Sequence, residues 1–139
     1  MEAKDYGKFT ADRVCRMLAI KPKTLRYYDK IGLLKVVDSV SVDWFDAVEV
    51  YEFIQTYCRK KWDGKPLVDW RSLSEQCTTN QSRLISQMRL FNLVLEPDVV
   101  LPRHYGMNRK RYNQSTVDAF TKQFTAAKER HTAEQERGS

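Results

Sequence analysis

The sequence predicts a mostly α-helical α+β protein in which one helix–turn–helix–hairpin–helix unit occurs twice. Two observations carry this. Short amphipathic stretches that open on capping residues alternate with β-branched runs, as helices alternating with hairpins require. The same element order then returns at nearly constant spacing. Val14 to Leu73 is 59 positions, Leu25 to Ile85 and Gly32 to Asn92 are 60 each, and Asp46 to Ser115 is 69. The last offset predicts about nine extra residues in the second hairpin.

In the first unit, Thr10 is placed to cap a helix with Val14, Met17 and Leu18 on one side. Ala19 and Ile20 lead into a turn. Pro22 then falls at the first position of a second helix, where a missing N–H costs nothing. Leu25, Tyr28 and Ile31 form its apolar side, and Gly32 ends it. The valine-rich stretch KVVDSVSVDWF reads as a hairpin, and Asp46 with Glu49 opens a third helix with the stripe Val50, Tyr51, Ile54, Tyr57 and Cys58. RKKWDGKPLVDW, with Gly64 and Pro66, reads as a connection. In the second unit, Ser72 and Glu75 form the next capping box. QSRLISQMRLF follows the turn TTN, with Leu84, Ile85, Met88 and Phe91 inward. VLEPDVVLPRHYGMNRKRY is the second hairpin. Ser115 and Asp118 open the last helix, on Val117, Phe120 and Phe124.

The chain of 139 residues suits one compact domain or two small ones. No apolar run approaches the roughly eighteen residues of a membrane span, and MEAKDYGKFTADR has no apolar signal core, so a cytoplasmic, non-membrane protein is expected. Cys15, Cys58 and Cys77 are odd in number and widely spaced. They are expected to be unpaired thiols, with no metal and no cofactor. An enzyme needs a nucleophile, a base or a metal set. The two histidines, His104 and His131, fall in a basic loop and a polar tail, and DGKP lacks the surroundings of a phosphate-binding loop, so catalysis is not expected.

The charge of +6 points to an acidic partner, nucleic acid first, and it is segregated. Val36 to Glu52 holds five acids and no Lys or Arg, whereas Arg103 to Arg111 holds four such bases and no acid. The second helix of a helix–turn–helix unit enters the major groove, and so needs an apolar side for the core and a polar side for DNA. KPKTLRYYDK has both: Leu25 and Tyr28 inward, Lys21, Lys23, Thr24, Arg26, Tyr27 and Lys30 outward. Lysines at a helix N-terminus oppose the helix dipole, and phosphates there offset that cost.

Phe9 to Leu34, FTADRVCRMLAIKPKTLRYYDKIGLL, resembles the start of the winged-helix DNA-binding domain of the MerR family of bacterial regulators, and FDAVEVYEFI resembles the helix after that family's wing. The second half is similar, more distantly, to MerR-like and phage excisionase-like domains through RKRYNQSTVDAF. The resemblance implies that Thr24, Arg26 and Tyr27 face DNA or its phosphates and that Tyr28, Leu33 and Leu34 are structural. The chain departs from the family at the first wing, where SVDWF puts Asp43 where the family carries arginine beside an aromatic. An acidic wing is repelled by phosphate, so the second, basic wing is expected to reach DNA instead.

The expected organisation is two tandem winged helix–turn–helix units. Residues 8–61 form the first, 62–66 a linker, and 67–125 the second, with a longer basic wing; 126–139 is a polar tail expected to be disordered. The second unit offers Gln81, Ser82, Arg83, Gln87 and Arg89 on its candidate recognition helix, and Arg103, Arg109, Lys110 and Arg111 around Gly106. Double-stranded DNA is the expected partner, with the chain itself, a recombinase or RNA polymerase as further ones, in the nucleoid of a bacterium or the host cell of a phage. The roles this leaves are a small transcription regulator, an excisionase-type factor that bends DNA, and a protein adaptor docking through the acidic stretch, to which Trp44, Trp62 and Trp70 would contribute.

Overall fold

The computed structural model describes residues 7–104 and 106–138. It is a mixed α/β fold with two small three-stranded antiparallel sheets flanked by helices. In the first half, β1 (Lys8–Thr10) runs into α1 (Ala11–Leu18), whose N-terminus is capped by the Thr10 hydroxyl accepting from Arg13 N at 3.2 Å. Ala19, at φ 53°, breaks that helix, and α2 (Pro22–Lys30) begins on Pro22. Gly32, at φ 84°, ends α2, with Leu33 N donating back to Tyr28 O at 2.9 Å. The strands β2 (Val36–Asp38) and β3 (Trp44–Asp46) form the hairpin, and Asp46 caps α3 (Ala47–Thr56) by accepting from Val48 N.

The second half follows the same course through β4 (Val68–Asp69), α4 (Trp70–Gln76), α5 (Gln81–Leu90), β5 (Val99–Val100), a short 3-10 turn (Gly106–Arg109), β6 (Lys110–Tyr112) and α6 (Gln114–Arg137). Strand order is β1-β3-β2 in one sheet and β4-β6-β5 in the other. The backbone agrees in detail. Thr78 takes the left-handed conformation of Ala19, and Asn92 that of Gly32. Thr79 N donates to Ser74 O as Ile20 N does to Cys15 O, and Leu93 N to Met88 O as Leu33 N does to Tyr28 O.

Several expectations need correction. The caps of α4 and α6 fall at Asp69 and Asn113 rather than Ser72 and Ser115. The equivalent caps Asp46 and Asn113 are therefore 67 positions apart, a smaller insertion than the sequence offset implied. In α3 the fully buried residues are Ala47, Val50, Phe53 and Ile54; Tyr57 and Cys58 pack half-buried against the same core, and Tyr51 is partly exposed with its ring against Phe9 and Trp62. Residues from 126 on are helical up to Arg137. Ala127 and His131 continue the three- and four-residue spacing of Val117, Phe120 and Phe124, and the His131 ring lies 5.4 Å from that of Phe91. Trp62 and Trp70 are buried and Trp44 is half-buried, so none of the three is a free aromatic surface.

The hydrophobic residues form two clusters, but these do not follow the halves. Leu67, Val99 and Leu101 belong to the first cluster, with Phe9, Val14, Leu18, Leu25, Tyr28 and Ile54. The segment leaving α3 lies against β5: Cys58 bridges Val99, Val100 N donates to Tyr57 O at 3.0 Å, and Arg59 N donates to Asp98 O at 2.7 Å. The second hairpin is thereby built into the first core.

Candidate nucleic-acid interface

The α2 helix turns Leu25 and Tyr28 into the core and leaves Lys21, Lys23, Arg26, Tyr27 and Lys30 exposed, with Thr24 half-buried among them. Tyr27 is 44% exposed. Lys21 is the N-cap residue and makes no side-chain cap bond, and no acid occupies the first turn. The positive end of this helix thus carries two lysines without local compensation. Those exposed cations, an aromatic edge and a hydroxyl share one face, a surface able to hold phosphates and reach base edges.

On α5, Gln81, Ser82, Arg83 and Arg89 are exposed, and Gln87 is half-buried. Two of these are engaged locally: the Ser82 hydroxyl donates to Asn80 Oδ1 at 3.0 Å, and Gln87 Oε1 accepts from the Thr79 hydroxyl at 3.1 Å. Leu90 and Val94 stand exposed just beyond, so this face is less polar than that of α2.

The hairpin loop between β5 and β6 reaches back to α2. Tyr28 Oη donates to Pro102 O at 2.8 Å, and the His104 ring lies edge-on to Tyr28 at 6.1 Å. Burial, and next the charge of Arg111, hold the His104 imidazole below its usual pKa. Burial pushes the Tyr28 phenol well up, so it stays protonated as the donor.

Arg103 and Arg109 are exposed and Lys110 is half-buried, but Arg111 is only 2% exposed. Its Nε donates to Leu18 O at 2.9 Å, Nη2 to Ala19 O at 3.0 Å, and Nη1 to Asn108 O and Lys110 O. Arg111 therefore is not a surface cation. It caps the carboxyl end of α1, where last-turn carbonyls lack intrahelical donors and the dipole is negative. The planar, weakly hydrated guanidinium suits this buried place better than an ammonium would.

The first wing is apolar and acidic at its tip. Val40 is 70% and Val42 48% exposed. Asp38 pairs with Lys8 at 3.3 Å, and its pKa is lowered first by the Val40 N–H and then by Lys8. The segment read as a connection supplies residues that sequence reasoning passed over. Arg59 and Lys60 line a cleft of about 420 Å³ together with Arg109 and Lys110. The run Arg59-Lys60-Lys61 was the available signal. Cys15, Cys58 and Cys77 are free thiols, and burial raises the pKa of Cys15 and Cys77. Among the described residues no group of three or more His, Cys, Asp or Glu is placed to hold a metal ion, and no helix is long and apolar enough to cross a membrane.

Residues 10–41 match the MerR family regulatory protein model. The match runs from the Thr10 cap through α1 and α2 to the tip of the first hairpin, and covers less than a quarter of the chain. The N-terminal part is thus a MerR-like helix–turn–helix region, similar to a family of regulatory proteins. No curated protein and no solved structure matches the chain.

Proposed function

We propose that the protein is a sequence-specific double-stranded DNA-binding regulator, bacterial or from a phage, built of two tandem winged helix–turn–helix units at 8–61 and 67–125 joined by 62–66. The observation that carries this reading is the exposed face of α2, with Lys21, Lys23, Thr24, Arg26, Tyr27 and Lys30 inside the MerR-like region. In this reading α2 lies in the major groove, and Arg26 and Tyr27 contact phosphates or groove edges. Gln81, Ser82 and Arg83 on α5, with Gln87 restricted by its bond to Thr79, offer a second contact region. The first wing stays off the duplex, because Asp38 and Asp43 would face phosphate.

A salt titration of duplex binding tests it. Each phosphate neutralised contributes about 0.9 to the slope of log affinity against log salt. Arg26→Ala should flatten the slope by about one and leave the melting temperature unchanged. An Arg26→Ala variant that binds as the wild type does, or that unfolds, would refute the assignment. Footprinting then separates a regulator at one promoter site from an excisionase-type factor at several phased sites. A second reading, a protein adaptor, is favoured by the exposed Val40 and Val42 beside Asp43; binding without salt dependence would support it.

A further inference from the structure

Arg59 and Lys60 leave the end of α3, and Arg109 and Lys110 enter β6, yet all four line one cleft of about 420 Å³ with Pro97, Val100 and the carboxylate of Glu96. The main chain holds them there. Arg59 N and Lys60 N both donate to Asp98 O, at 2.7 and 3.3 Å, and Leu101 N donates to Arg109 O at 2.8 Å. Val100 pairs with Lys110 across the sheet and donates to Tyr57 O from its own N–H. The cations are thus brought together by backbone bonds that do not involve their side chains. Among the described residues the ion pairs are Lys8–Asp38 and Arg71–Glu75, so none of these four is neutralised by a salt bridge. Like charges gathered in one concavity repel one another and raise the local concentration of anions.

We propose that this cleft binds an anion carrying two or more successive phosphates, supplied either by a DNA strand or by a free oligophosphate. Arginine forks match phosphate oxygens bidentately, and the lysines add point charges. The volume lies in the range of small-ligand sites. Because Arg59 and Lys60 lie at the end of the first unit while Arg109 and Lys110 belong to the second hairpin, the bound anion bridges them and stiffens the junction. The free-oligophosphate arm requires no duplex, so it stands apart from the reading of α2.

The probe is inorganic pyrophosphate, added to the full chain at constant ionic strength and followed by calorimetry and thermal melting. The wild type and a Lys122→Gln control, changed on the exposed face of α6, should show saturable binding and a raised melting temperature. Lys60→Gln with Arg109→Gln should weaken pyrophosphate binding about tenfold or more and lose the rise in melting temperature. If a DNA strand is the source, the same double variant flattens the duplex salt slope by about two and pyrophosphate competes with duplex. If a free oligophosphate is the source, the slope is unchanged while the pyrophosphate response is lost. Equal pyrophosphate response, or none, in wild type and double variant, with equal duplex slopes, overturns the proposal. If Arg26→Ala leaves duplex binding intact while the pyrophosphate response persists, the α2 reading fails and the cleft stands.

Discussion

Replacing Arg111 by methionine tests how the two halves are joined. The guanidinium makes four bonds to main-chain carbonyls, at 2.6 to 3.0 Å, and the residue as a whole is 2% exposed. Hydrogen bonds from a charged donor contribute about 1.5–3 kcal/mol each, but burying the charge costs several kcal/mol in return. Methionine fills similar space and removes that desolvation cost. It also leaves Leu18 O, Ala19 O, Asn108 O and Lys110 O without this donor, at about 1–3 kcal/mol for each carbonyl that water cannot reach. With partial relaxation the net loss should be about 3 kcal/mol, a large share of the stability of an ordinary domain. Urea unfolding followed by tryptophan fluorescence reads it, since Trp62 reports on the first cluster and Trp70 on the second. For a slope of about 1.5 kcal/mol per molar urea the midpoint should fall by about 2 M. Arg109→Met, at an exposed site, should stay within about 0.5 kcal/mol of wild type. If Arg111→Met unfolds at the wild-type midpoint while losing duplex affinity as a surface cation would, the buried assignment is wrong. For the same reason the basic run Arg109–Arg111 should contribute about two units of salt slope rather than three.

Tyr28→Phe removes the bond to Pro102 O and should cost about 1 kcal/mol in the same urea assay, with duplex binding by the folded protein retained. His104 has a folded-state pKa below its usual value, so its stabilising contribution is complete above about pH 6.5 and is lost as pH falls toward the lowered value. The melting temperature should therefore drop between about pH 7 and 5 by more in the wild type than in His104→Phe; equal drops would show that His104 is not desolvated against Tyr28. Gly32→Ala should cost about 1 kcal/mol, since φ is 84° and no atom lies within 4 Å of the added Cβ, whereas Gly32→Asn should cost less because Asn92 already holds the equivalent conformation. An Ala variant as stable as wild type would remove the argument from the left-handed backbone.

The sequence by itself determined the local elements of this protein. Thr10, Pro22, Gly32 and Asp46 each act within a few residues of themselves, through a cap, a fixed φ or a left-handed turn, so their consequences are readable along the chain. The outward face of α2 was legible in the same way, because helical periodicity separates Leu25 and Tyr28 from Arg26 and Tyr27. What only the tertiary structure decided lies at separations that no local rule spans. Arg109, Lys110 and Arg111 are alike as text, yet strand alternation and the nearby end of α1 turn Arg111 inward, 93 positions from the carbonyl of Leu18. The cleft that joins Arg59 and Lys60 to Arg109 and Lys110 exists because the segment leaving α3 bonds to the edge of β5. A charge pattern shows which residues need compensation; only the packing of the second hairpin into the first core settles whether a carbonyl, a phosphate or water supplies it.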